Sequence, residues 1–242
     1  MIEKGFEGPK LEGWMGHYVL VTAYSDAHKR FTVQDSYYGP DQAMSYEDLA
    51  SNWRAFNYTF LVVYPTDRTQ EVDSLLGTLV DEEYAYGSAA ETASNEIYLL
   101  TGRDQYFAWF NRGTSLMWLQ DYAGAAQAYD EAFRLYSLLP EKGRPWRMMW
   151  YQTGPYWAYY YTGRYQDVID LATTTLGAMS QPVLEESYYW RGLAREAAGD
   201  RDVLIGGGAD AHNHLGGTDA WDTLDRAIGV PSLAEVPAEH GG

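Results

Sequence analysis

A histidine next to glycine, in Gly16-His17-Tyr18, opens one apolar run, and an acid, in Gln34-Asp35-Ser36, closes the next. An imidazole beside a carboxylate is the pair that activates a hydroxyl or a thiol: the ring takes the nucleophile's proton, and the acid fixes the ring's tautomer and orientation. The nucleophile is harder to find. The chain has no cysteine, so it supplies no thiolate, disulfide or thiolate metal site. Ser25, Ser36, Ser45 and Thr32 offer hydroxyls by type. None lies in the Gly-x-Ser-x-Gly elbow that would present one to a base.

The two candidates need elements that bring them together. HYVLVTA, residues 17–23, and FTVQD, residues 31–35, are β-branched or alternating runs separated by the polar SDAHKR, which predicts a hairpin. Adjacent antiparallel strands put residues about 18 apart in sequence side by side, so His17 and Asp35 can meet. DSYYGPDQ reads as a loop from its Asp, Ser, Gly and Pro. SYEDLASNWRAF starts with Ser45 and an acid three residues on, a capping-box-like helix start. YTFLVVYP, residues 58–65, reads as a strand stopped by Pro65.

The rest of the chain is helical in period. Residues 66–105 are acidic and Ala-rich, read as a linker with one or two helices and a break at Gly87. From residue 106 a pattern repeats. Trp109, Gly113 and Leu116 are followed by Tyr122, Ala125, Tyr129 and Ala132, which fits the two-helix tetratricopeptide pattern of bulky, small and aromatic positions. Small residues let paired helices approach, and large ones fill the space between neighbours. A second copy aligns Tyr165 with Tyr122, stretched beyond the usual ~34 residues by the insertion LLPEKGRPWRMM. A third first-helix, EESYYWRGLAREAAGD, lacks its partner and runs into a Gly-rich tail. In that tail Asp210, His212 and His214 alternate as metal ligands on a strand end do. Further ligands are wanting, so they are read as incidental, and no metal site or cofactor is expected.

Composition narrows the function. With 34 acids against 17 bases the net charge is −17, a field that repels phosphate backbones and anionic headgroups and argues against nucleic-acid partners. No run approaches ~18 apolar residues and no signal-peptide core follows Met1, so the chain as written is expected to insert into no membrane and to stay where it is made, in the cytoplasm. Its 22 Tyr and 9 Trp suit packed surfaces or grooves. Trp146, Trp150, Tyr156, Tyr160 and Tyr189 are the candidates for lining a peptide groove on the repeat array. Neighbouring tyrosines from residue 159 to 161 cannot all face inward on one helix.

GHYVLVTAY, VQDSYYGP and YEDLASNWRAFNYTFLVVYP together resemble the carboxy-terminal half of a C39-like, papain-type cysteine peptidase domain, in a bacterial arrangement where repeats follow it. The resemblance implies His17 as general base and Asp35 as its orienting group, with a Cys and an oxyanion-stabilising Gln upstream. Met1 falls within an expected strand, which predicts an open strand edge over residues 2–6. The expected fold is α+β, a partial papain-like antiparallel sheet unit followed by an all-α array of tetratricopeptide-like repeats. The expected boundaries are 1–65, 66–105, 106–202 and 203–242. Three functions follow: a truncated, non-catalytic binder of peptides or proteins; part of an active cysteine endopeptidase whose Cys-bearing half lies elsewhere; or a pure repeat scaffold.

Overall fold

Alternation dominates the start of the chain and a 3.6-residue period the remainder, and the computed structural model is correspondingly α+β, a four-stranded antiparallel sheet followed by helices. It describes residues 1–8, 13–178 and 184–200. The stretch 203–242, with Asp210, His212 and His214, lies outside the described residues. The chain divides into two compact units, Met1–Arg164 and Tyr165–Gly242.

The sheet is a meander of β1 (Ile2–Gly8), β2 (Gly13–Ser25), β3 (Arg30–Asp35) and β4 (Gly39–Ser45) in that order. Its register pairs Ile2 with Val19, Lys4 with His17, Val19 with Asp35 and Val21 with Val33. Because side chains alternate between faces, these residues share one face. There Ile2, Val19 and Val33 are buried together with Leu49 of α1 (Tyr46–Trp53), and Val21, Phe31, Met44 and Trp53 flank them. Helix α1 begins as its sequence predicts: Ser45 Oγ accepts from the Asp48 N–H at 2.9 Å and donates to Asp48 Oδ2 at 2.6 Å.

Two segments depart from expectation. The loop reading of DSYYGPDQ is corrected in part, because Gly39–Ser45 forms β4. An edge strand leaves one row of backbone groups unpaired, so it tolerates Pro40. The apolar run 58–65 forms no regular strand. Asn57 and Tyr58, both at φ 54°, turn the chain, and it then meets the start of β1. Phe60 bridges Ile2, and Leu61 accepts from the Met1 amine at 2.6 Å and donates to the Met1 carbonyl at 2.8 Å. The start of the edge expected to be open is therefore covered.

Helices α2 (Thr69–Leu76), α3 (Glu82–Leu99), α4 (Gly102–Trp118), α5 (Tyr122–Leu138), the short α6 (Met148–Tyr151) and α7 (Gly154–Tyr161) complete the first unit. The expected break at Gly87 is absent, since α3 runs through it. A helical glycine costs about 1 kcal/mol, which packing of α3 along α4 offsets. Helix α4 lies between α3 and α5. A Cβ at Gly113 would sit 2.7 Å from the Tyr129 ring, and Ala125, Tyr129 and Ala132 are fully buried. The small positions thus do set the helix approach. Trp109 and Leu116 are only half-buried, and the core stripe of α4 is instead Tyr106, Phe110, Gly113 and Met117. In the second unit α8 (Tyr165–Gly177) packs on α9 (Glu185–Ala197), and Val168, Ala172, Trp190 and Ala194 are buried.

Within the first unit the other face of the sheet is seated on the helices. Trp14 stacks on Phe56 at 5.8 Å and meets Phe107 at 5.7 Å and Tyr151 at 6.2 Å, ring centre to ring centre. Arg147 donates to the Trp14 carbonyl at 3.0 Å. Arg54 joins α1 to the helices, donating to Glu96 of α3 at 3.0 Å and to Asp104 of α4 at 3.1 Å, and Tyr58 Oη donates to Glu96 as well. Asn111 donates to the Arg54 carbonyl at 2.7 Å and Asn57 to Ser115 at 2.9 Å.

Candidate functional site

Strands β2 and β3 bring His17 and Asp35 into contact: Nε2 of the ring lies 2.8 Å from Oδ1 of the acid. Both sit on inner strands. In the register Val19 faces Asp35, so the acid reaches diagonally across one residue pair, a span side chains on one sheet face can cover. The imidazole is 14% exposed and the carboxylate 2%.

The turn after β3 completes the acid's environment. Oδ1 also accepts from the Tyr37 N–H at 2.8 Å and the Tyr38 N–H at 3.0 Å, an aspartate bonding its own following backbone as turn-forming aspartates do. Burial pushes the Asp35 carboxyl up, but the Tyr38 N–H, the His17 ring and the Tyr37 N–H together outweigh it and hold it below the usual carboxylate range. The acid is therefore ionised at neutral pH and can only accept. Nε2 of His17 must then carry the hydrogen, which leaves Nδ1 with its lone pair free to take a proton.

Close packing fixes the ring's strand. Gly16 has no room for a side chain, since a Cβ there would lie 2.8 Å from the Phe56 ring and 3.2 Å from that of Tyr151. On the opposite side the Phe6 ring stands 5.3 Å from the His17 ring, 6.1 Å from Tyr37 and 6.5 Å from Tyr38. Lys4, opposite His17 in the register, lies on the same face. The sequence reading passed over Lys4, Phe6, Tyr37 and Tyr38. Period-two alternation along IEKGF was the signal for the first two, and an aspartate opening a turn was the signal for the others.

The hydroxyl candidates serve other purposes. Ser45 caps α1. Ser25 meets His28 Nδ1 at 2.9 Å on the exposed hairpin turn, at the far end of β2 from His17. Thr32 pairs within the β2–β3 ladder, and Ser36 lies exposed in the turn beside Asp35.

The aromatic candidates are placed unequally. Trp146 is partly exposed and meets Trp150 edge-on at 4.9 Å, with the Arg147 guanidinium 4.0 Å from the Trp146 ring. Tyr156 is fully buried, sealed from any groove, and Tyr160 is half-buried. Of the neighbouring tyrosines in α7, Tyr159 is buried, while Tyr160 and Tyr161 are half-exposed. Tyr189, half-buried, belongs to the second unit. The groove between α3, α4 and α5 is lined by other residues, among them Tyr98, Trp109, Arg112 and Asp130.

Among the described residues no helix is long and apolar enough to cross a membrane, and no group of three or more His, Asp or Glu side chains is placed to hold a metal ion. Comparison with protein-family models, with curated proteins and with solved structures found no match to this chain.

Proposed function

We propose that this chain carries the base half of a cysteine-peptidase centre of the C39-like, papain-type kind, followed by tetratricopeptide-like helical repeats. His17 is the general base, Asp35 orients it, and the thiol comes from a cysteine on residues outside this sequence. The observation that carries the reading is the 2.8 Å contact of His17 Nε2 with an aspartate already held by two backbone N–H groups. It leaves Nδ1 to act. Nδ1 takes the thiol proton, the thiolate attacks a peptide carbonyl, and the imidazolium returns the proton to the leaving amine. Water, deprotonated by the same nitrogen, then releases the acyl group. Without the thiol the chain binds peptides and does not cleave them. The partly exposed Trp146, braced by Arg147, supports that binding role.

The test begins with the gene, read in frame upstream of the Met1 codon. If it encodes a Gln and a Cys at a helix start, the longer product should hydrolyse peptides and be labelled by iodoacetamide. Both activities should fall at least about 100-fold in His17→Ala, the usual contribution of a general base. Absence of such a cysteine overturns the reading, as does hydrolysis that survives His17→Ala. Hydrolysis by the present chain alone also counts against it.

A further inference from the structure

Lys4 is a charged side chain on an apolar face. It alternates with Ile2 and Phe6 along β1 and stands opposite His17. Only 4% of the residue is exposed, a burial that lysine tolerates as a rule only when paired. Among the described residues, however, its ammonium makes no hydrogen bond or ion pair, and its near neighbour is the Phe6 ring, 5.1 Å from Nζ to the ring centre. Burial pushes Lys4 below the ordinary lysine range, while the charge of Asp35 opposes that shift. Asp35 thus acts on Lys4 through its charge without pairing with it, and its Oδ1 takes three other donors.

The surroundings of this cation have the form of a subsite. The Phe6 ring neighbours those of His17, Tyr37 and Tyr38, and both tyrosines are exposed. A buried cation, an imidazole and an aromatic wall open to solvent therefore converge. The cation has open donor capacity, since Asp35 makes no hydrogen bond or ion pair with it and acts on it only through its charge. The chain's net charge of −17 disfavours a multiply charged anion such as phosphate and leaves a monoanion as the better match. A carboxylate meets the ammonium as a charge-assisted hydrogen-bond acceptor, and an aromatic group on the same residue can lie against the wall.

We infer that Lys4 anchors a carboxylate-binding subsite beside His17, which takes the free carboxylate of a peptide's last residue while that residue's aromatic side chain packs on Phe6, Tyr37 and Tyr38. The subsite goes beyond the base role of His17 and needs no thiol, so it is tested on binding alone. Its failure would leave thiol activation by His17 untouched.

The probes are N-acetyl-phenylalanine, its amide, and the α-amide of N-acetyl-glutamate, titrated into the full chain and followed by amide chemical shifts in nitrogen-15 spectra. The acid should bind about tenfold more tightly than the amide, the scale of one hydrogen bond to a charged group, and should shift Lys4, His17 and Tyr38. Lys4→Met, whose chain fits between Ile2 and Phe6, should erase the preference, and Lys4→Arg should keep it. Equal binding of acid and amide, no saturable shift with the acid, or a preference that survives in Lys4→Met overturns the inference. Glutamate amide binding as tightly as N-acetyl-phenylalanine overturns the assignment to a chain terminus. Should Lys4→Met fail to fold, the comparison of acid with amide on the unaltered chain decides.

Discussion

Asp35 concentrates the chemistry of this chain in one atom, since Oδ1 accepts from two backbone N–H groups and an imidazole at once. Its folded-state carboxyl is depressed, so the stability it contributes is present above the unfolded carboxylate value of about 4 and is lost as pH falls through the lower folded value. Asp35→Asn keeps an oxygen for the two N–H groups but removes the charge. It should cost about 2 kcal/mol at neutral pH, the scale of charge-assisted hydrogen bonds. The gap between variant and parent should close progressively in urea unfolding curves taken below about pH 4. The same variant should let His17 populate both tautomers, visible in its ring nitrogen-15 shifts. A gap independent of pH would show that the carboxylate charge contributes nothing. The sequence made this pair legible because hairpin geometry converts a spacing of about 18 residues into proximity. It did not reveal the two backbone donors, because an N–H group carries no residue identity, nor Lys4, because a lysine in an alternating run looks like a solvent-facing position.

At the level of elements, the strand that carries His17 is held in place by the absence of a side chain. Gly16 lies against Phe56 and Tyr151, so the Arg-Ala-Phe stretch after α1 shapes the site from behind the strand. Gly16→Ala should cost about 1–3 kcal/mol, as overpacking does. It should also move β2 enough to weaken the His17–Asp35 hydrogen bond, read as loss of the downfield Nε2 proton resonance. Gly77→Ala, where a Cβ would meet nothing but φ is +59°, separates the two effects: it strains the backbone after α2, outside the sheet, and leaves the resonance in place. Which elements could be read in advance follows the same physics. Helix α1 announced itself through Ser45 and Asp48, a local signal. Strand β4 was hidden because Gly, Pro and Asp signal a loop, although β3 offers them a ladder. The run 58–65 has strand composition but, among the described residues, pairs in strand fashion only with Met1 and Ile2, since pairing is decided by a distant segment and not by local preference.

On the scale of the molecule, packing runs across residue 65. Met1–Arg164 forms one compact unit, in which Trp14 of the sheet packs with Phe56, with Phe107 of α4 and with Tyr151 of α6. A fragment of residues 1–65 would expose the Trp14 and Phe56 rings and strand Arg54 without Glu96 and Asp104. It would also be smaller than most chains that bury a sufficient core. Expressed alone, it should give a collapsed amide spectrum with no protected protons, whereas residues 1–164 should give a dispersed one. Arg54→Met in the full chain tests the joint more finely. It leaves Glu96, half-shielded and already with Oε2 unpartnered among the described residues, facing Tyr58 alone. The expected loss is about 2 kcal/mol, less than for a fully buried pair because water still reaches both partners. Glu96→Gln added to it should recover part of that loss, since the stranded charge is then gone. If amides of β2 and α4 exchange at unrelated rates in the parent and respond separately to Arg54→Met, the sheet and helices are independent folding units. Matched rates that rise together in Arg54→Met would establish that the His17–Asp35 pair depends for its geometry on the helices behind it.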